Sequence, residues 1–112
     1  MRAWQQAMDL VEKVYLLTQD FPKQETYGLM SQVRRAVISV PSNIAEGDTR
    51  EHIKEYLHHL SMVQASLAEV ETQLEIAARL RYLRSNQLNE LLPEISSLGK
   101  QLYALRNALL RA

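Results

Sequence analysis

The feature that most restricts this chain is a pair of apolar rows in its middle third. Ile53, Leu60, Leu67 and Leu74 fall seven residues apart, and Tyr56, Val63, Val70 and Ala77 form a companion row three residues out of step. A strand shows its side chains with period two, so it cannot carry that pattern on one face. A long helix can, if it packs at a shallow angle against other helices. Three glycines and three prolines in 112 residues leave too few turn formers for an all-β alternative.

Three further segments carry the same kind of period. The first helix is expected from about Ala3 to Asp20, with Trp4, Ala7, Met8, Val11, Val14 and Tyr15 on its stripe, widened by Leu10 and Leu17. Phe21-Pro22 should end it, because the residue before proline is pushed out of the helical region. A second helix is expected from about Gln24 to Glu46, with Met30, Val33, Val37, Val40 and Ile44 inward and Gly47 as a left-handed cap. The third should open on Asp48-Thr49-Arg50-Glu51 as a capping box and run to about Leu83. The fourth, capped by Ser85 or Asn86, carries Leu88, Leu91, Ile95, Leu98, Leu102, Leu105 and Leu109. Pro41 should kink the second helix. Pro93 should kink the fourth or mark a later start near Leu92.

The connections are short, so successive helices must lie antiparallel. The expected fold is all-α: one domain over residues 1–112, an up-down-up-down four-helix bundle. At 46% hydrophobic residues the chain has the apolar content for a core, and with aromatics at 6% that core must be mostly aliphatic.

Thirteen basic and thirteen acidic residues cancel, so no overall field commits the chain to nucleic acid or membrane. The absence of cysteine excludes disulfides, thiolate catalysis and cysteine-ligated zinc. No apolar run approaches the roughly 18 residues of a membrane span, and Met1 to Gln6 lead straight into an amphipathic segment. A cytoplasmic location is therefore expected.

Glu55-x-x-His58 has the spacing of di-metal bundle sites, but those need two such motifs and two further glutamates, all inward. Here there is one copy, and with Leu60 and Leu67 in the core it faces outward. His52 and His59 are seven apart and read as boundary histidines rather than zinc ligands. Glycine-rich phosphate loops and nucleophile–base pairs are absent. No metal, cofactor or enzymatic activity is expected. Cations cluster at Arg34-Arg35 and at Arg79, Arg81 and Arg84. The second group complements a helix C-terminal dipole, and both groups are candidate nucleic-acid contacts.

The stretch from Gln32 to Gly47, QVRRAVISVPSNIAEG, is distinctive. It resembles the bacterial four helix bundle protein family, also called the 23S ribosomal RNA intervening-sequence protein family. The matching positions are Gln32, Arg34, Arg35, Ala36, Ser39, Asn43, Ile44, Ala45, Glu46 and Gly47. Phe21-Pro22-Lys23, Tyr27-Gly28-Leu29, Arg50, Glu55, Tyr56, Leu60 and the run from Ser66 to Glu71 extend the likeness across most of the chain. The resemblance implies a four-helix bundle, and for some members a homopentameric ring. Related accessory proteins of diversity-generating retroelements bind nucleic acid and a reverse transcriptase.

The motif also has a plain structural reading. Ser39 or Asn43 would satisfy the carbonyl that Pro41 leaves free, Gly47 would supply positive φ, and Glu46 would pair with Arg50 or Arg34. On this reading Ser39, Pro41, Asn43, Glu46 and Gly47 form a structural corner. Met62, Ala65, Ile76 and Leu80 lie off the core rows of the third helix, as do Tyr103 and Leu110 on the fourth. That apolar surplus predicts self-association, with five as the number the resemblance implies. The expected function is a non-enzymatic homo-oligomeric scaffold, and the rival is an RNA-binding accessory protein.

Overall fold

In the computed structural model, which describes residues 1–112, four helices follow one another: α1 Arg2–Thr18, α2 Leu29–Asp48, α3 Ile53–Arg79 and α4 Ser85–Arg111. A 3₁₀ turn, Lys23–Glu25, lies in the first connection. α1 packs on α2 and α4, α2 on α3, and α3 on α4, so the helices form a ring in chain order. That is the up-down-up-down bundle. It is a rod of 47 × 25 × 19 Å.

Most of the core is the set that the periodicity picks out, but on α1 Met8 is exposed and Trp4, Val11, Tyr15 and Leu17 are only partly buried. Leu60, Val63, Leu67, Val70, Leu74 and Ala77 of α3 are buried against Val33, Val37, Val40 and Ile44 of α2 and against Leu88, Leu91, Ile95, Leu98 and Leu102 of α4. α1 contributes Ala3, Ala7, Leu10 and Val14. Each fully buried leucine or valine removes enough apolar surface to be worth about 1.5–3 kcal/mol. The α3 rows overrun the core at their start, where Ile53 is exposed and Tyr56 half-buried.

Several helix ends differ from the expectation, each for a local reason. α2 begins at Leu29 rather than Gln24, because Gly28 is non-helical at φ −111° and ψ −115°. The Glu25 carboxylate caps the new start, accepting the Leu29 N–H at 3.0 Å. Its other oxygen accepts the Tyr82 hydroxyl at 2.8 Å, and Tyr82 also packs on buried Phe21. The Leu29 N–H and then the Tyr82 hydroxyl hold the Glu25 carboxyl below its ordinary value of 4.5. This clasp between the first and third connections is therefore intact above the usual glutamate range. It is lost as pH falls through that lowered value.

Gly47 lies inside α2 and has no positive φ, so it is not a left-handed cap. α3 starts at Ile53 after His52, not on a capping box at Asp48, and no side chain caps it. Thr49 instead turns its hydroxyl back to the Glu46 carbonyl at 2.8 Å. α3 ends at Arg79, four residues before Leu83. The left-handed residue there is Arg81 at φ 65°. With Tyr82 N–H bonded to the Ala77 carbonyl and Arg81 N–H to Ala78, this is a Schellman ending with arginine where glycine is usual. α4 starts at Ser85, where the Gln87 side chain accepts the Arg84 N–H at 2.8 Å. α2 and α4 run on through Pro41 and Pro93.

Arg81→Gly should raise stability by about 0.5–1 kcal/mol, since glycine carries no Cβ penalty at positive φ. A thermal melt with an unchanged or lower midpoint would contradict that account. Gly47→Val should destabilise by about 1–3 kcal/mol in the same assay, through overpacking rather than through φ. A Cβ at Gly47 would stand 3.0 Å from the His59 Cβ and 3.4 Å from the Tyr56 ring.

Candidate functional site

The distinctive residues of α2 face α3 along a seam of small and polar side chains. Gln32, Ser39 and Glu46 are spaced seven apart on α2, and Gln73, Ser66 and His59 are spaced seven apart on α3. The helices are antiparallel, so the two sets meet as rungs. The Gln73 amide donates to the Gln32 side chain at 3.4 Å, the Ser39 and Ser66 hydroxyls bond to each other, and His59 Nδ1 lies 3.8 Å from a Glu46 oxygen. Polar residues inside a helix interface fix register at some cost in stability. One cost is visible: Gln73 Oε1 is buried without a partner.

Asn43 ties the seam to the backbone. Its Nδ2 donates to the Ser39 carbonyl at 2.9 Å, so its Oδ1 is the atom that meets His59 Nδ1 at 3.0 Å. An amide oxygen only accepts, so Nδ1 of His59 carries a proton. Ser39 meanwhile donates to the Ala36 carbonyl at 2.7 Å. Contrary to the expectation, neither Ser39 nor Asn43 reaches the Val37 carbonyl that Pro41 leaves free; they bond to the Ala36 and Ser39 carbonyls instead. Glu46 pairs with neither Arg50 nor Arg34; one of its oxygens lies 3.8 Å from His59 Nδ1 instead.

The arginines divide. Arg34 is turned inward: Nε donates to Thr18 Oγ1 at 2.8 Å, Nη2 to the Tyr15 carbonyl at 3.1 Å, and the guanidinium sits 4.3 Å from the Tyr15 ring centre. It closes the C-terminal end of α1, whose carbonyls lack helical partners. Arg35 stays exposed on a groove of about 610 Å³ between α2 and α3, which Glu69, Met62 and the Ser39–Ser66 rung also line. Arg79, Arg81 and Arg84 are exposed around the α3–α4 turn, with Asp20 beside Arg81 and Arg84. Glu55 and His58 are exposed on α3, and so is His52. Sequence reasoning missed Gln73 and Ser66 as partners and His59 as part of the motif. The signal was there: their heptad spacing mirrors that of Gln32, Ser39 and Glu46.

The chain is an all-α four-helix bundle whose second and third helices are keyed by polar rungs. The family model for the 23S rRNA-intervening sequence protein matches residues 1–104, and the chain belongs to that family. Its fold is similar to a crystal structure of a protein of unknown function from the S23 ribosomal protein family of Bacteroides thetaiotaomicron VPI-5482. The TM-score is 0.83 at 17% identity, covering 93% of this chain and 97% of that one. No curated protein matches. None of the four helices is long and apolar enough to cross a membrane.

Asn43→Ala should destabilise the bundle by about 1–3 kcal/mol, because it removes the partner of a half-buried imidazole N–H. Chemical denaturation checks it. An unchanged midpoint would mean that the seam does not depend on this amide.

Proposed function

We propose that this protein is a non-enzymatic, self-assembling scaffold, with five copies as the ring size that the resemblance implies. The supporting observation is the outer face of α3. Met62, Ile76 and Leu80 are 41%, 42% and 52% exposed, with Met62 at the border of the α2–α3 groove. Ala65 is exposed among them. On α4, Tyr103 and Leu110 are exposed to 57% and 54%. Apolar surface gathered along one helix face marks an interaction site more often than scattered residues do. A zero net charge provides no long-range repulsion between copies.

The rival RNA-binding reading loses Arg34, which is committed to α1. It retains Arg35 and the exposed Arg79, Arg81 and Arg84, beside which few other cations stand to release counterions.

Light scattering after size exclusion should give a mass that is a multiple of 12.9 kDa at micromolar concentration. Met62→Glu/Ile76→Glu should reduce it. A wild-type mass of 12.9 kDa would refute assembly, and a dimer would refute only the ring.

A further inference from the structure

The hydrogen bonds around Asn43 decide more than packing. With Nδ1 of His59 protonated and donated to Asn43 Oδ1, the neutral ring carries its lone pair on Nε2. Nε2 has no hydrogen-bond partner within the protein, and the side chain keeps 13% of its surface exposed. His59 borders a second cleft of about 530 Å³, lined also by Arg50, Lys54, Glu55 and His58. Two permanent cations and one carboxylate give that cleft a balance of +1 before either imidazole is counted. Glu46, on α2, lies 3.8 Å from the protonated nitrogen and does not line the cleft.

We infer that this cleft is a binding site for a singly charged hydrogen phosphate group, carried by a phosphate monoester or free in solution. The cations provide charge-assisted donors for the unprotonated oxygens. Nε2 provides what cations cannot, an acceptor for the P–O–H proton. A monoanion matches the +1 balance, whereas a dianion would face Glu55 with charge to spare. The same chemistry selects against close mimics. Sulfate has the shape but carries two charges and no proton near neutrality, and a phosphodiester has the single charge but no proton either. The site therefore suits a terminal phosphate and not a nucleic-acid backbone, and it is independent of whether the chain self-assembles.

The test is an NMR titration of the full chain at pH 6.5, following the imidazole nitrogens of His58 and His59 at constant ionic strength. Phosphate monoester dianions take up one proton near about pH 6, so the hydrogen phosphate form is present there. Inorganic phosphate or methyl phosphate should move the His59 signals saturably. Sulfate and dimethyl phosphate should bind at least about tenfold more weakly, the loss of one charge-assisted bond. If methyl phosphate binds as tightly as inorganic phosphate, the ligand is an ester. If only inorganic phosphate binds, it is the free ion. Arg50→Gln/Lys54→Gln, both exposed positions, should reduce phosphate affinity by at least about tenfold without moving the melting midpoint. Equal binding of sulfate and phosphate would overturn the inference. So would His59 signals that do not saturate, or unchanged affinity in the double variant.

Discussion

The close approach of α2 to α3 is the contact on which the rest of the molecule depends. At Gly47 the backbone comes near enough for an added Cβ to lie 3.0 Å from the His59 Cβ. Such proximity brings side chains as short as serine within bonding range across the seam. It also puts backbone polar groups and half-buried imidazole close together, where an unmet donor would cost about 1–3 kcal/mol. Asn43 answers that need by serving a carbonyl with one end of its amide and an imidazole with the other. The apolar rows supply most of the driving force for collapse. The polar rungs choose which of several equally greasy alignments is adopted.

The clasp at the opposite end does a similar job for connections rather than helices. Glu25 reaches both the first residue of α2 and the tyrosine that follows α3. Arg34 reaches from α2 to the last carbonyls of α1. One end of the rod is thus stitched across three chain segments by side chains of opposite charge, each bonded to neutral partners. Pairs of this kind do not depend on a salt bridge, which at a surface contributes little.

Much of the fold was legible in the sequence because burial follows period. Leu60, Val63, Leu67, Val70, Leu74 and Ala77 are all buried as their spacing requires. Helix ends were less legible because capping is decided by single contacts with distant residues. Glu25 could be recognised as the cap of α2 only with Tyr82 in place, and Gly47 was read as a turn residue when its demand was steric. Arg34 looked like a free cation because nothing in the local sequence shows that Tyr15 and Thr18 lie across from it. Ser39, Asn43 and Glu46 were singled out as parts of a corner, and they lie along the seam with α3. Their partners were not, since pairing across an interface is a relation between two helices and appears in neither one alone.

The rungs differ in length, and that has a mechanical consequence. The serine pair is the shortest bridge between α2 and α3, with Gly47 eight residues to one side of Ser39 and Gln32 seven to the other. At 1.5 Å per residue these are arms of about 12 and 10 Å on either side of a pivot. Val33 and Val37 on one arm and Val40 and Ile44 on the other are buried in the core, so neither arm can close further. A side chain lengthened at either end must therefore lift that end of the pair.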